Sequence, residues 1–263
     1  MSDLARSFDD VAEAYEHGRP RYPADVIEEI ASAAGGGPRL LDVGAGTGRL
    51  AAPLLQAGYD VVAVEPLDAM RAILAGQVGA ERVRAGHAEA LPLDDGSVDG
   101  AVCADAWHWF DGARAAEELH RVVRPGGGVV ICVSWLDNRH KVPWADETEA
   151  LLKPLWEAVH HPSRDGNFRP KGFDGHPGFA LIEMRNVPFV HETNRERMLA
   201  HYLSMSAIAS LARDRRAEVL DELDAVLVRH GVEQVGIPYR AELWITRRLP
   251  DPAPPAGRPA AAS

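Results

Sequence analysis

The stretch LLDVGAGTGRL, residues 40–50, joins a short apolar run to one acidic residue and three glycines at alternate positions. A short apolar run bounded by glycine is typical of a buried strand, and the residues from Gly48 onward favour a helix. Glycines that directly follow a strand let the backbone approach a ligand closely. The stretch therefore predicts a ligand-binding turn between a first strand and a helix over residues 48–57.

The same alternation of strands and helices surrounds this turn in the first half of the chain. It implies a parallel sheet with helices on both faces. The apolar runs that predict strands cover residues 39–44, 60–65, 82–86, 97–105 and 128–135. The predicted helices cover residues 22–35, 48–57, 67–77 and 111–123, the last capped by Asp111.

The second half of the chain is less regular. The fold class that we predict is α/β, with a doubly wound, mostly parallel seven-stranded sheet, an antiparallel edge strand and a helical cap insertion. The stretch YRAELWITRRL, residues 239–249, alternates like an antiparallel strand at or near an edge. The other predicted elements are a helix over 145–159, a strand over 179–193, and helices over 195–211 and 215–229.

Composition narrows the class of protein. The chain has 263 residues and a net charge of −11, and such an acidic chain is poorly suited to general binding of nucleic acid. No apolar run reaches the roughly 20 residues of a membrane span, and the N-terminus shows no secretory signal. Cys103 and Cys132 each lie inside an apolar strand, so we expect free core cysteines in a cytoplasmic protein.

Two kinds of phosphate-binding loop are alternative interpretations of the glycine-rich turn. A P-loop requires a lysine after its last glycine, and the turn contains none. The looser dinucleotide fingerprint does fit, as Gly46-x-Gly48-x-x-Ala51 with Glu65 placed 19 residues after Gly46. This half-match keeps a nucleotide-dependent oxidoreductase open as an alternative.

Asp42 favours a third interpretation of the turn. A carboxylate at the end of the first strand is awkward beside a pyrophosphate, but it suits a ligand that carries an ammonium group. Glu65 still offers a partner for a ribose. S-adenosylmethionine, which joins an adenosine, a sulfonium and an amino acid without any phosphate, satisfies both conditions.

Four stretches together resemble the class I S-adenosylmethionine-dependent methyltransferases. LLDVGAGTGRL, VVAVEP, GHAEALPLDDGSVDGAV and ELHRVVRPGGGVVI occur in the order and at the spacing of that family. FDDVAEAYEHGRPRYP and WHWFD resemble its small-molecule branch, which includes enzymes similar to trans-aconitate methyltransferase and to those of ubiquinone biosynthesis. The resemblance covers roughly residues 8–134.

The resemblance implies a set of cofactor-binding residues. Those near the turn would contact the methionine and ribose portions, Glu65 would bind the ribose hydroxyls, and the N-terminal segment would fold over the cofactor as a lid. His87 stands where many relatives carry Asp or a small hydroxyl residue, whereas the backbone contact of Ala88 does not depend on that side chain. The implied residues are Tyr15, Arg19, Asp42, Gly44, Ala45, Gly46, Glu65, Pro66, Leu67, His87, Ala88, Glu89, Cys103 and Ala104.

The resemblance, together with the pattern and composition of the rest of the chain, divides the sequence into parts. Residues 1–36 would form the lid helices, residues 37–134 the cofactor-binding core, and residues 135–178 a substrate cap. Residues 179–249 would complete the sheet with two helices, and residues 250–263 would be a disordered tail. The cap would carry Trp135, His140, Trp144, Trp156, His160 and His161.

Residues 105–110, with the sequence DAWHWF, follow the fourth strand and would face the transferred methyl group. His108 is the first candidate for a catalytic base or a group that orients the acceptor, and Asp105 is the second. Trp107, Trp109 and Phe110 would either wall an apolar acceptor or pack beneath the following helix.

The resemblance to enzymes similar to trans-aconitate methyltransferase implies a methyltransferase that acts on a small molecule, at a carboxylate or hydroxyl oxygen. Transfer to nitrogen or carbon, nucleotide-dependent oxidoreduction and a non-methylating protein of the same fold remain alternatives. The histidines lack the spacing of metal ligands, so no metal is expected. We expect no nucleic-acid or membrane partner, and a monomer or a homodimer.

Overall fold

The computed structural model describes residues 7–35, 37–136, 144–159 and 168–251. A seven-stranded sheet forms its centre, with the strand order β3-β2-β1-β4-β5-β7-β6. The strands are β1 Arg39–Val43, β2 Asp60–Val64, β3 Val83–Arg84, β4 Gly100–Ala104, β5 Gly128–Leu136, β6 Glu183–Asn194 and β7 Gln234–Arg247.

Helices cover both faces of this sheet, as the alternating pattern predicts. Short 3-10 helices span Asp9–Val11, Ala80–Arg82 and Trp107–Trp109. The α-helices are α1 Ala12–Gly18, α2 Ala24–Ala33, α3 Ala51–Gln56, α4 Asp68–Val78, α5 Gly112–Val122, α6 Ala145–Ala158, α7 Arg195–Leu203, α8 Ser206–Ala209 and α9 Arg213–Arg229.

The parallel half of the sheet is built from strands that are buried on both faces. β1 pairs in parallel with β2 on one side and with β4 on the other. Its residues Leu40, Leu41 and Val43 are almost wholly buried, which is what helices on both faces require. Because the chain runs outward from β1 to β3 and then returns to β4, the strand order reverses at β1. The carboxyl end of β1 is therefore the switch point where open α/β sheets bind ligands.

The antiparallel strand predicted near one edge is confirmed. β7 pairs antiparallel with β5, where Cys132 lies opposite Leu243, and β6 pairs antiparallel with β7. β7 begins at Gln234, earlier than predicted, and it lies one position in from the edge, which β6 forms.

One predicted helix is broken in the structure. The segment predicted over 195–211 ends as α7 at Leu203 and restarts as the short α8. Between them, the Ser204 hydroxyl donates to the carbonyl of His201 at 2.7 Å and accepts a hydrogen bond from Arg19 at 2.9 Å. Side-chain bonds of this kind compete with helix continuation, and the partner Arg19 is too distant in sequence for a local pattern to reveal.

Other predicted features are reproduced closely. α5 begins after Asp111, whose side chain accepts a hydrogen bond from the Arg114 N–H at 3.3 Å as an N-terminal cap. Cys103 and Cys132 are buried and free on neighbouring strands. Among the described residues, no helix is both long and apolar enough for a membrane span. His140, His160, His161, the side chain of Trp135 and the tail beyond residue 251 lie outside the described residues.

Candidate functional site

A cavity of about 690 Å³ lies at the carboxyl ends of β1, β2 and β4. Its walls also include the N-terminal segment, the loop after β4 and the C-terminal elements α6, α7 and β7. The structure brings twelve of the predicted site residues to this cavity. They are Tyr15, Arg19, Asp42, Gly44, Ala45, Gly46, Glu65, Pro66, Leu67, Ala104, Asp105 and His108.

The other four predicted residues do not line the cavity. Cys103 is only 1% exposed and packs in the core, because alternate side chains of β4 face opposite sides of the sheet. Ala88 is buried, and the backbone of His87 forms an isolated antiparallel β-bridge with Ala90. The Glu89 carboxylate accepts a hydrogen bond from the Asp111 N–H at 2.8 Å, so it supports the start of α5. Their contacts with a cofactor stay predictions.

The glycine-rich turn has the backbone shape that its sequence predicts. Gly44 has φ = 68° and Gly48 has φ = 96°, both in the left-handed region that favours glycine. A Cβ atom on Gly44 would also stand 2.8 Å from the Cβ of Ala106 and 2.9 Å from Cζ of Phe110. Glycine at this position therefore keeps the turn open toward the cavity.

Glu65 is fixed by the backbone around it. Its Oε2 accepts a hydrogen bond from the Gly46 N–H and its Oε1 from the Leu67 N–H, both at 2.9 Å. The side chain is 4% exposed, and burial raises the pKa of this carboxyl against the opposing effect of the two N–H groups. Glu65 thus connects the glycine-rich turn to the end of β2 and presents its carboxylate to the cavity.

Asp42 has an oxygen with no partner. The side chain is 1% exposed, and Oδ2 has no hydrogen-bond partner among the described residues. Burial and the neighbouring Glu65 raise the pKa of its carboxyl from 3.8 to about 7. Two buried carboxyls at one end of a cavity create a strong preference for a cationic ligand.

Asp105, the second predicted base, is held by a buried network. Its Oδ2 accepts a hydrogen bond from the Tyr22 hydroxyl at 2.9 Å, and its Oδ1 accepts one from the Ser134 N–H at 2.8 Å. The Ser134 hydroxyl in turn donates to Tyr22 at 3.0 Å. Asp105 also has φ = 51°, a strained value outside glycine. These bonds fix the Asp105 carboxylate in the cavity wall, and its role as a base stays a prediction.

The aromatic residues after β4 divide between core and cavity. Trp107 is buried, stacks on Phe173 with ring centroids 5.0 Å apart, and donates its indole N–H to the Lys171 carbonyl at 3.2 Å. It does not line the cavity, so packing beneath the helix is the correct interpretation for Trp107. His108, Trp109 and Phe110 do line it, and the His108 ring lies 4.8 Å from that of Trp109.

The N-terminal segment is fastened over the glycine-rich turn by Arg49. Its side chain is 9% exposed, and its guanidinium donates to the carbonyls of Glu16, Arg19 and Pro20. The Glu16 carboxylate accepts a hydrogen bond from Thr47 at 2.6 Å. We call this set of contacts the Arg49 latch.

Arg19 ties the same segment to the C-terminal half. Its Nε donates to the Ser204 hydroxyl and its Nη2 to the Ser204 carbonyl, both at 2.9 Å, while the guanidinium lies over the Tyr15 ring at 5.1 Å. Its Nη1 has no hydrogen-bond partner in the described part of the chain. Arg19 therefore keeps the two N–H groups of Nη1 for a ligand in the cavity.

Sequence reasoning placed Trp144 and Trp156 in a substrate cap but missed the other residues of the second half of the cavity, which we call the acceptor half. Among the missed residues, only His191 and Thr193 show a pattern in the sequence. They stand two residues apart at the end of β6, and residues with this spacing share one face of a strand. Burial, with Arg49 and Arg197 nearby, lowers the pKa of His191 to about 4, and burial lowers that of His201 well below its usual value. The acceptor half comprises Trp144, Leu152, Trp156, His191, Thr193, Met198, His201, Tyr202, Met205, Ile237 and Tyr239.

Metal binding finds no support within this part of the chain. No group of three or more histidine, cysteine, aspartate or glutamate side chains is arranged to hold an ion among the described residues. The cavity instead presents two distinct ends, one with buried carboxyls and one with histidine, threonine and apolar side chains.

Comparisons with known proteins agree with this architecture. The family model described as a methyltransferase domain matches residues 41–131, which include the glycine-rich turn and strands β2 to β4. An uncharacterised methyltransferase of Mycobacterium tuberculosis strain H37Rv is 33% identical over 87% of this chain and 88% of its own length.

Solved structures share the fold at lower sequence identity. A protein of Anaeromyxobacter dehalogenans, described as a candidate type II methyltransferase, matches with a TM-score of 0.60 and 24% identity over 89% of this chain and 99% of its own. A phosphoethanolamine N-methyltransferase of Haemonchus contortus, solved with phosphomonomethylethanolamine and S-adenosylhomocysteine, matches with a TM-score of 0.55 and 15% identity over 95% of this chain and 61% of its own.

Proposed function

This chain belongs to the class I methyltransferases, and from that premise we propose that it transfers the methyl group of S-adenosylmethionine to an oxygen of a small-molecule acceptor. The observation that carries the proposal is the pair of buried carboxyls, Asp42 and Glu65, at the switch point of the sheet. A dinucleotide would bring a pyrophosphate to the same turn, where Asp42 would repel it when ionised. The fold neighbour from Haemonchus contortus is described with S-adenosylhomocysteine bound.

The residues at this end of the cavity fit the cofactor. The unpartnered Oδ2 of Asp42 would accept a hydrogen bond from the ammonium group of the methionine portion. Glu65, held by two backbone N–H groups, has lone pairs left for the ribose hydroxyls. The missing side chain of Gly44 leaves room for the ligand beside the turn.

Catalysis by this chain consists mainly of alignment and exclusion of water. When bound, the cofactor supplies a methyl group that its positively charged sulfur activates for in-line displacement. The N-terminal segment, fastened by the Arg49 latch, covers the glycine-rich turn from solvent. His108 would orient the acceptor from the loop after β4, while Asp105, with both oxygens bonded, would hold the cavity wall.

A direct test is calorimetric titration of the purified protein with S-adenosylmethionine, S-adenosylhomocysteine, NAD and NADP. We expect binding of the first two compounds and none of the others. Binding of NAD or NADP alone would replace the proposal with an oxidoreductase. Formation of S-adenosylhomocysteine in the presence of acceptor candidates then separates an enzyme from a protein that only binds the cofactor.

Glu65→Gln tests the ribose contact within the same experiment. It removes the charge but keeps the shape, so affinity for S-adenosylhomocysteine is expected to fall by about 1.5–3 kcal/mol, the range for hydrogen bonds to charged groups. Glu28→Gln, at an exposed position on α2, is the matched control and should bind normally. Unchanged affinity in folded Glu65→Gln would reject the ribose role.

A further inference from the structure

Three buried polar atoms in the acceptor half have no partner among the described residues. They are Thr193 Oγ1, His191 Nε2 and His201 Nδ1, and all three side chains line the same cavity. Buried hydroxyls and ring nitrogens are normally hydrogen-bonded in folded proteins. A cluster of unpaired ones beside a cavity therefore indicates a ligand that supplies the missing bonds.

These atoms are suited to a ligand that accepts hydrogen bonds. Burial keeps both histidines neutral, so each ring has one N–H to donate, and the Thr193 hydroxyl can donate as well. Arg19, whose Nη1 is available, and Arg49 are the positive charges that act on His201. This positive setting opposes an ammonium group and favours an anion.

Acidic groups also face the cavity, and their positions determine whether they would repel an anion in the acceptor half. Asp42 and Glu65 lie at the opposite end, and Asp105 is engaged by Tyr22 and Ser134. Asp146 and Glu149 on α6 are exposed to solvent, where water and salt screen them. None of these carboxylates therefore offsets the preference of Thr193, His191 and His201 for an anionic ligand.

The walls around the donors are apolar. Trp144, Leu152 and Met198 are almost fully buried, and Trp156, Met205 and Ile237 extend the same surface. Aromatic and methionine side chains of this kind enclose hydrocarbon or aromatic groups and adapt to their shape. The acceptor half is therefore an apolar pocket with one cluster of hydrogen-bond donors.

We propose that the acceptor half binds an organic acid with an apolar body, and that the carboxylate of this acid is the methyl acceptor. This inference rests on the proposed function and specifies its substrate class. A carboxylate oxygen would form the new bond to the methyl carbon while the carbon–sulfur bond breaks and its electron pair stays on sulfur. The products are a methyl ester and S-adenosylhomocysteine, and no proton moves. An alcohol would instead have to lose its proton to a base, which a carboxylate does not need.

The test compares matched acids and alcohols on protein saturated with S-adenosylhomocysteine. Phenylacetate, 3-phenylpropionate and 4-phenylbutyrate are titrated beside the alcohols of the same chain length, with tryptophan fluorescence as the signal because Trp144 and Trp156 form the wall. The best acid is expected to bind at least about tenfold more tightly than its alcohol. Equal or tighter binding of the alcohols or of 4-phenylbutylamine, or no binding of any acid, would overturn the inference.

Two variants test whether Thr193 and His201 cause the preference for the acid over the alcohol. Thr193→Val and His201→Asn are expected to remove most of the preference for the acid while the affinity for the alcohol and for S-adenosylhomocysteine stays unchanged. His17→Asn, outside the cavity, is the matched control and should behave like the unmodified protein. An acid preference that survives both variants contradicts the assigned site.

Turnover distinguishes this inference from the proposed function itself. With methyl-labelled S-adenosylmethionine, the bound acid is expected to yield a labelled ester that releases methanol in alkali. A labelled product that resists alkali, or no product from a bound acid, overturns the carboxylate as acceptor while cofactor binding still stands. Failure to bind S-adenosylhomocysteine at all would instead overturn the proposed function.

Discussion

Asp42 combines burial with an oxygen that has no partner, and this combination costs the free protein stability. An acid whose pKa is raised by folding holds its proton more tightly in the native state than in the unfolded chain. Stability therefore falls as the pH rises from the unfolded pKa, 3.8, to the folded one, about 7, and is constant above that. The full shift corresponds to roughly 4 kcal/mol. A cationic ligand such as the proposed cofactor would remove this penalty when it binds.

Asp42→Asn should therefore stabilise the protein without ligand. At pH 8 we expect the free energy of unfolding to increase by about 1–4 kcal/mol, and at pH 4 the gain should largely disappear because that pH lies close to the unfolded pKa, 3.8, where little of the penalty has developed. Urea unfolding at the two pH values measures this difference. Asp60→Asn, at an exposed acid on β2, is the control. An equal gain at both pH values would show that ionisation of Asp42 is not the cause.

His108 allows a distinction between orienting the acceptor and removing a proton from it. If it orients a carboxylate, His108→Ala should lower kcat by about 10²-fold or less, and His108→Gln should recover much of the loss because an amide also donates a hydrogen bond. A base would not be rescued in this way. The measurement is kcat and KM for both variants across pH 6–9, with His17→Asn as the control; loss of activity in both variants would favour a base.

Residues in local motifs were predictable, and those brought together by the fold were not. Asp42 and the glycines belong to one continuous stretch at the end of a strand, so their spacing alone places them together. His191, His201 and Tyr239 come from three separate elements, and no short pattern relates them. The acceptor half therefore became visible only once the sheet and α7 were positioned.

At the scale of the elements, α1 is held in place by contacts made far along the chain. The Arg49 latch holds its carboxyl-terminal end to the glycine-rich turn, and Arg19 fastens the following residues to Ser204. A Cβ atom on Gly18 would stand 2.1 Å from the backbone nitrogen of His201, so α1 and α7 are in direct backbone contact. Sequence patterns predicted the helix before β1 but not this attachment.

Arg49→Lys should loosen α1 selectively. Lysine keeps the charge but cannot reach the three carbonyls that the guanidinium contacts, so we expect a loss of about 1–3 kcal/mol. Hydrogen exchange should show faster amide exchange in residues 12–22 and little change in β1 and β4. Arg21→Lys, whose side chain is 72% exposed, should cost less than about 0.5 kcal/mol. Uniform acceleration across the sheet would mean that Arg49 supports the whole fold rather than the latch.

On the scale of the whole molecule, the N-terminal segment and the last strand, β7, meet at one cavity. The N-terminal segment, the parallel strands and the antiparallel pair all contribute walls, so a ligand there should stabilise the entire fold. The parallel half was predictable because each strand and helix has its own periodicity. The insertion of β7 between β5 and β6 depends on which edges remain unpaired, and this is a property of the assembled sheet.

S-adenosylhomocysteine should raise the melting temperature of the protein as a whole. At about 100 times its dissociation constant a ligand adds roughly 2.7 kcal/mol, which for a chain of this length corresponds to about 5–10 °C. NAD at the same concentration should cause no shift. Differential scanning calorimetry should show one transition that moves as a unit. A shift that appears in only part of the melting profile would indicate that the cavity stabilises one segment alone.

The position of β7 also determines when the sheet can be completed during synthesis of the chain. β1 to β5 leave the ribosome first and contain the turn, Asp42 and Glu65, whereas β7 is the last strand to be made and must enter between two strands that are already present. Ile237 and Tyr239, which close the acceptor half, lie on this late strand. A nascent chain thus exposes the unfinished edge of β5 until its final strand arrives, and it is during that interval that the protein most needs protection from aggregation.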